Sequence, residues 1–225
     1  MAQLFVKGTE LFIVTNGKYI PATKIGFNRY TADARIGSNP SEPGDPGEPS
    51  TSFIAPFARN TYSDTWDTDY GERPGIGKGW HDGIDFNQGG IGFGSEIRCP
   101  ANGRVIKTLN YNFNTYPGGN NGVTWPGIGI AISHGRIDGE GEFAGREIWT
   151  MYAHMQAPLR HQVGDELAQG DVVGILGSTG FSSGPHLHWE VHVDSFGNYT
   201  NDIYGSTKDP VVVVDEFGGN WGNFE

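Results

Sequence analysis

The sequence is short of cysteine, of basic residues and of long apolar runs. Cys99 is the single cysteine in 225 residues, so no disulfide can form within the chain. No run of about 18 apolar residues occurs, which predicts that no helix crosses a membrane. The 15 lysines and arginines are outnumbered by 26 acidic residues, and the resulting net charge of −11 opposes binding to a nucleic-acid backbone. We therefore expect a soluble chain whose partners are neither nucleic acid nor membrane.

Two sequence signals are also missing. The N-terminus has no positively charged start followed by a long apolar segment, so we expect no secretory signal and synthesis in the cytoplasm. The motif H-E-x-x-H is absent as well, which excludes the metal site that this motif builds on a helix. Any metal site of this chain is therefore expected on strands.

Glycine and proline are abundant, with 36 and 13 copies. They separate short runs of β-branched and aromatic residues, and no segment shows a long helical apolar period. We therefore predict an all-β fold with an antiparallel sheet. The predicted strands cover residues 96–99, 104–109, 128–133, 147–154, 171–176 and 186–193.

The pattern divides the chain into four parts. Residues 1–35 carry short apolar runs and an Asn-Gly turn signal, and are predicted to form a small β appendage. Residues 36–52 contain prolines three positions apart, which is typical of an extended polyproline spacer. Residues 53–214 are the predicted main domain, and residues 215–225 the predicted C-terminal tail.

The stretch GSTGFSSGPHLHWEVHV at 177–193 contains the only H-x-H motif of the chain. Side chains on a strand alternate between its faces, so His186, His188, Glu190 and His192 share one face, which we expect to be wet. Apolar residues take the other face: Leu187, Trp189, Val191 and Val193. Three imidazoles on one face indicate metal binding or proton transfer rather than an ordinary amphipathic strand.

A second polar motif, HDGID, occupies residues 81–85. His81 and Asp85 are four positions apart, and Gly83 gives the backbone freedom to turn both side chains toward one point. In isolation, such a pentapeptide is usually a surface turn with incidental polar residues. Its combination with a second histidine-bearing segment favours a metal site, since three nitrogen or oxygen ligands plus a water make a catalytic zinc centre.

Several motifs occur in a fixed order along residues 70–210: YGER at 70–73, HDGID at 81–85, IRCPANGRVI at 97–106, MYAHM at 151–155, VGDELAQGDVVGILGSTG at 163–180 and SGPHLHWEV at 183–191. This ordered set resembles the lysostaphin-like zinc endopeptidases of family M23, which cut peptide bonds in bacterial cell-wall peptidoglycan. Such a set is far more specific than any single member of it. The resemblance implies a lysostaphin/LytM-like antiparallel β-sheet domain with a substrate groove.

The resemblance also implies the site residues. His81, Asp85 and His188 are expected to bind Zn²⁺, and His154 and His186 to be the catalytic histidines beside it. It implies that zinc activates a water for attack on the scissile carbonyl. The two histidines then steady the intermediate and move a proton to the leaving amine. The expected partner is bacterial peptidoglycan, cut in its stem peptide or cross-bridge.

The histidine of MYAHM needs the family motif for its interpretation. On a continuous strand, His154 would share a face with Thr150 and Tyr152, and a histidine in that position is more often structural. The remaining histidines are expected to be exposed or hydrogen-bonded in ordinary ways: His134, His161 and His192.

Two places depart from the family pattern or extend it. In GIGIAISHG at 127–135, Ile128 stands where family members often have asparagine, so a substrate-contact amide is expected to be missing. Residues 109–125 are rich in asparagine, glycine and aromatic residues. They are predicted to form a groove-rim loop that sets specificity.

The expected biological setting follows from the missing secretory signal. A wall hydrolase made in the host cytoplasm reaches its substrate by lysis or as part of a virion, which favours a bacteriophage endolysin or tail lysin. Phage tail proteins are then the expected partners of the N-terminal appendage. The alternative is a structural virion or wall-binding module with a secondary or inactive peptidase fold. Zinc content and peptide release from purified walls distinguish the two.

Overall fold

The computed structural model describes residues 3–7, 10–15, 18–26, 29–32, 50, 52–63, 65, 68–73, 79–110, 125–194 and 207–222. Most of the predicted linker, and residues 111–124 of the predicted rim loop, lie outside the described residues. All statements below concern the described part of the chain.

Fifteen strands and one α-helix are described, together with a short 3₁₀ turn at Arg59–Thr61. The strands are β1 Gln3–Lys7, β2 Glu10–Thr15, β3 Lys18–Gly26, β4 Arg29–Ala32, β5 Gly71–Glu72, β6 Trp80–His81, β7 Ile84–Phe86, β8 Glu96–Arg98, β9 Gly103–Asn110, β10 Ile128–Arg136, β11 Glu147–Ala153, β12 Glu166–Leu167, β13 Val172–Ile175, β14 Leu187–Val193 and β15 Thr207–Lys208. The helix is α1 Pro210–Glu216.

A seven-stranded antiparallel sheet forms the centre of the fold. Its strand order is β12-β9-β10-β11-β14-β15, and β7 also pairs with β14. Strand β14 therefore has β11 on one edge, while β7 and β15 share the other edge. Two small two-stranded sheets, β13-β8 and β5-β6, lie outside this main sheet. The prediction of an all-β antiparallel fold is confirmed.

The predicted strands of the main domain correspond closely to β8, β9, β10, β11, β13 and β14. Isoleucine, valine and aromatic residues dominate these strands because such side chains pack well on a pleated surface. The face of β14 that carries Trp189 packs into the core, where the indole stacks on Phe53 with ring centroids 5.9 Å apart. Tyr152 of β11 lies directly opposite Trp189 and is also fully buried. This core anchors the strand that carries His188, the second histidine of the H-x-H motif.

The C-terminal and N-terminal parts of the described chain form separate elements. Helix α1 begins after Asp209, whose side chain accepts a hydrogen bond from the backbone N–H of Val211, with Pro210 at the first helical position. Beyond the helix, Trp221 stacks on Tyr62 with ring centroids 6.2 Å apart. Strands β1 to β4 form a separate four-stranded antiparallel sheet. The division into four parts stays a prediction.

Among the described residues, no helix has the length and apolarity that a membrane crossing requires.

Candidate metal and catalytic centre

The antiparallel pairing of β7 with β14 places Asp85 directly opposite His188. Side chains at opposed positions share a face of the sheet and lie within contact distance. Gly83 makes this approach possible, because a Cβ atom there would lie 2.3 Å from the backbone oxygen of Trp189 and 3.0 Å from Nε2 of His188. The sequence indicated backbone freedom at Gly83, whereas the structure shows that the requirement is space.

His81 enters the site from the two-residue strand β6. Its Nδ1–H donates to the backbone oxygen of Asp69 at 2.6 Å, which leaves Nε2 facing His188. The two imidazole rings lie 4.8 Å apart between centroids, and both side chains are buried. His81 is thus held in one tautomer by the main chain.

Three donor atoms meet at one point. His81 Nε2 lies 2.9 Å from His188 Nδ1, His188 Nδ1 lies 3.0 Å from Asp85 Oδ1, and His81 Nε2 lies 3.2 Å from Asp85 Oδ1. In a tetrahedral zinc site with bonds of about 2.0 Å, ligand atoms are about 3.3 Å apart. The three atoms therefore have the spacing of three zinc ligands, and within the described residues they are the one group with metal-site geometry.

The hydrogen bonds of these residues explain why the point where the three donor atoms meet attracts a cation. His188 Nε2–H donates to Glu190 Oε1 at 3.1 Å, so the neutral ring presents a lone pair at Nδ1. The neutral His81 ring presents its Nε2 lone pair to the same place, beside a carboxylate oxygen of Asp85. Three lone pairs that converge in a buried site repel one another unless a proton or a metal ion lies between them.

The pKa values agree with this electrostatic picture. Burial by itself would lower the pKa of His188, but hydrogen bonds to Asp85 and Glu190 raise it to about 9. Burial likewise would raise the pKa of Asp85, yet hydrogen bonds with His188 and His81 hold that pKa well below its usual range. Arg73 Nη2 also lies 3.2 Å from Asp85 Oδ2, on the side away from the donor triangle. The donor set therefore fits a divalent cation.

A second layer of polar residues supports the predicted ligands. Glu190 bridges two histidines, since Oε1 accepts from His188 and Oε2 accepts from His192 Nε2–H at 2.8 Å. Glu190 is 1% exposed and His192 is fully buried, so the prediction that this face of β14 is wet is wrong. Strand β15 continues the sheet at His192, which pairs with Thr207. The shared face was predicted from alternation, but its burial depends on chain contacts that alternation does not show.

His154 lies one residue beyond the end of β11. Its φ of 61° is in the left-handed region, so the strand alternation stops before it. The expectation that His154 shares a face with Thr150 and Tyr152 is therefore wrong. Instead, its ring lies 4.5 Å from that of His186 and 6.3 Å from that of His188, between centroids. The two predicted catalytic histidines are neighbours at the donor triangle.

Each of these two histidines has one nitrogen bound to the backbone. His154 Nδ1–H donates to the oxygen of Thr179 at 2.7 Å, and His186 Nδ1–H donates to the oxygen of Gly184 at 2.8 Å. His186 Nε2 faces the centre and lies 3.9 Å from Asp85 Oδ1. In the neutral rings, Nε2 is then the atom that exchanges a proton.

Trp125, the last residue of the predicted rim loop, lies at this centre. Its ring lies 5.1 Å from His154 and 4.7 Å from His188, both in edge-to-face arrangements. It thereby forms an apolar wall that touches one predicted catalytic histidine and one predicted ligand. It lies outside the histidine motifs, so the sequence did not place it beside these residues.

The other flagged residues lie away from this centre. His134 is fully buried with both nitrogens occupied, and His161 Nε2–H donates to the oxygen of Val172 at 2.8 Å. Ile128 is 1% exposed, so its side chain belongs to the core and offers nothing to a substrate. Burial raises the pKa of Cys99 to about 12, which makes this thiol unreactive.

Residues 79–202, more than half of the chain, match the sequence model of peptidase family M23. The chain belongs to peptidase family M23. It is 29% identical over 156 residues to the glycyl-glycine endopeptidase ALE-1 of Staphylococcus capitis, covering 66% of this chain and 36% of that protein. It is 32% identical over 132 residues to lysostaphin of Staphylococcus simulans, covering 58% of this chain and 22% of that protein.

The solution structure of lysostaphin has the same fold, with a TM-score of 0.50 at 24% identity. The match covers 78% of this chain and 58% of that chain. This M23 chain spans 36% and 22% of the lengths of the two curated relatives named above. The matched family region contains all five predicted site residues: His81, Asp85, His154, His186 and His188.

Proposed function

We propose that this M23 chain is a zinc-dependent endopeptidase that hydrolyses a peptide bond in bacterial peptidoglycan. One observation carries the proposal: three donor atoms 2.9 to 3.2 Å apart, with two further histidines beside them. Structural zinc sites are closed by four protein ligands, whereas this group has three donors with two further histidines beside it, as in a catalytic site. The similarity to a glycyl-glycine endopeptidase independently supports the hypothesis that this chain is a peptidase.

His81 Nε2, Asp85 Oδ1 and His188 Nδ1 would hold the zinc. When bound there, zinc supplies Lewis acidity and makes water a nucleophile near neutral pH. Glu190 and the backbone oxygen of Asp69 hold the far nitrogens of the two histidines, which fixes the ring orientations that binding requires. The chain thus supplies three ligands, one fewer than a closed structural zinc site has.

His154 and His186 would carry the proton. Burial lowers the pKa of His154 well below its usual value, and the neighbouring His186 and His188 add to this effect. The ring of His154 is therefore neutral at pH 7, with its Nε2 lone pair directed away from the Thr179 hydrogen bond. Nε2 of either histidine can accept a proton from the attacking water and return it to the leaving amine.

Aromatic contacts would select the substrate. At a net charge of −11, the chain has no long-range attraction to the anionic polymers of a cell wall. Short-range contacts must therefore provide affinity, and Trp125 on the site and Trp80, 43% exposed beside His81, are available for them. We propose that the cleaved amide bond lies in the stem peptide or cross-bridge and is selected by shape.

Two assays test this function together. Purified protein should contain close to one zinc per chain, and it should release fragments with new amino termini from purified walls. Mass spectrometry of fragments from walls of several chemotypes identifies the bond. Release of reducing sugars without new amino termini would contradict the proposal. Zinc binding without any release would favour the structural or wall-binding alternative. The phage setting and a tail-protein partner remain predictions.

A further inference from the structure

The backbone at His154 needs external support. Its φ of 61° is unfavourable for a residue with a Cβ atom, by about 1 to 2 kcal/mol. Such a conformation persists only where surrounding contacts determine it. Its own N–H donates to the oxygen of Pro126 at 3.1 Å, and the next N–H, of Met155, donates to the oxygen of Ile128 at 2.9 Å. The hydrogen bond that holds its ring comes from one residue of the GSTG stretch.

That residue is Thr179, which contacts His154 through its backbone. The oxygen of Thr179 accepts from His154 Nδ1–H at 2.7 Å. This bond selects the tautomer that leaves Nε2 open toward the site. It also fixes the rotation of the ring about its bond to the main chain. The position of Nε2 of His154 therefore depends on the position of the Thr179 carbonyl.

The hydroxyl of Thr179 fixes that carbonyl. Oγ1 donates to the oxygen of Met155 at 2.7 Å and accepts from the N–H of Ile128 at 2.9 Å. It joins the start of β10, the turn after β11 and the loop before the H-x-H motif. One side-chain group satisfies one backbone donor and one backbone acceptor that no strand pairing reaches.

Two glycines bring these segments into backbone contact. A Cβ atom at Gly127 would lie 2.4 Å from the carbonyl carbon of Thr179, and one at Gly180 would lie 2.3 Å from the nitrogen of Gly127. The two loops are thus as close as main chains can pack. This close packing restrains the Thr179 carbonyl, and the two hydrogen bonds of the hydroxyl restrain it further.

We propose that Thr179 is the positioning residue of His154, with its hydroxyl placing the loop and its carbonyl orienting the ring. The inference rests on the proposed catalytic role of His154, but the orientation of the ring is measurable without catalysis. A misplaced catalytic group loses rate rather than substrate binding. Thr179→Val should therefore lower kcat about 10- to 100-fold, with KM and zinc content unchanged.

The test uses three variants at this position and one control. Thr179→Val keeps the shape and removes the hydroxyl, Thr179→Ala removes it without added bulk, and Thr179→Ser retains it. Thr150→Val is the control for loss of a threonine hydroxyl, because the hydroxyl of the fully buried Thr150 contacts His134 and not the backbone around His154. The control should lower the melting temperature and leave kcat unchanged.

The second readout is the nitrogen spectrum of the His154 side chain in the zinc-loaded protein. Wild type and Thr179→Ser should show a protected Nδ1–H, and Thr179→Val and Thr179→Ala should show rapid exchange or a mixture of tautomers. Wild-type kcat and a protected Nδ1–H in the valine or alanine variant would overturn the proposal. Loss of fold or of zinc in both would also overturn it, since Thr179 would then be a general structural residue. If wild type itself releases no peptide, the proposed function fails while the spectrum still decides the role of Thr179.

Discussion

On the core face of the main sheet, His134 has protein partners at both ring nitrogens. Nδ1–H donates to the oxygen of Asn102 at 3.1 Å, and Nε2 lies 2.8 Å from Thr150 Oγ1, which in turn contacts Tyr152. On the opposite face, His188 has one nitrogen on Glu190 and turns the other toward Asp85 and His81. Burial is the same for both histidines, so burial does not mark function here.

The two histidines differ in where the second ring nitrogen points: that of His188 faces the donor triangle, and that of His134 contacts a core hydroxyl. All four histidines at the centre donate from one nitrogen to a protein oxygen and present the other to the site: His81, His154, His186 and His188. A histidine whose two ring nitrogens both have hydrogen-bond partners in the core stabilises that core. A histidine that is oriented through one nitrogen can use the other to bind a metal or a proton. The following experiments test that contrast, from the largest expected effect to the smallest.

Removing a ligand should abolish the centre. His188→Ala takes away one corner of the donor triangle, so zinc content should fall from about one per chain to near zero and peptide release should stop. Atomic absorption on the purified variant measures the metal. The control is His134→Ala, which also removes a buried histidine and should keep its zinc if it folds. Full zinc occupancy in His188→Ala would remove His188 from the ligand set.

Removing a proton carrier should slow turnover and leave the metal in place. His154→Ala or His186→Ala should reduce kcat about 100-fold or more, with little change in zinc content or melting temperature. The effect is smaller than the loss of a ligand because the metal still assists the reaction. Steady-state kinetics on a soluble wall peptide measures it. Turnover near wild type in either variant would exclude that histidine from catalysis.

Weakening the second layer should weaken zinc binding without abolishing it. In Glu190→Gln the side chain has one acceptor oxygen, while His188 and His192 both donate to the carboxylate. Zinc affinity should fall about 10- to 100-fold, as measured by competition with a chelator. Glu166→Gln, an exposed carboxylate paired with Arg104, is the control and should bind zinc like wild type. Equal affinity in Glu190→Gln would show that Glu190 does not orient His188.

The core histidine, His134, should affect only the pH dependence of the free energy of unfolding. Burial lowers the pKa of His134 to about 4 from an ordinary value of 6.5. The unfolded chain therefore takes up the proton first as the pH falls below 6.5, and unfolding becomes easier by about 3 kcal/mol in total by pH 4. In His134→Gln this part of the decline should be absent. Urea unfolding at matched zinc between pH 7 and 4.5 measures it, and an unchanged slope would contradict the assignment.

The strands of the main domain were predictable from sequence because their β-branched runs are bounded by glycine and proline. The grouping of His188, Glu190 and His192 on one face of β14 followed from alternation alone. The predicted ligand and catalytic residues were identified from the family motifs, since HDGID by itself has the composition of a surface turn. Their proximity in space depends on the β7–β14 register, which no local pattern specifies.

Three features of the site were outside the reach of local patterns. Strand alternation predicted the wrong neighbours for His154, because a single left-handed residue ends the strand before it. The face of β14 that was expected to be wet is buried by contacts from distant segments. Trp125 and Thr179 act through non-local contacts, and neither residue type signals that by itself. Local sequence patterns predict faces and turns, whereas long-range packing decides what covers them.

A zinc titration followed by the side-chain nitrogen spectra of the histidines tests the central contrast most directly. We predict that one equivalent of zinc shifts Nε2 of His81 and Nδ1 of His188, the two nitrogens that face Asp85. The ring nitrogens of His134 should not move, since both already have protein partners. Coordination through His188 Nε2, or a zinc-dependent shift of His134, would contradict the account.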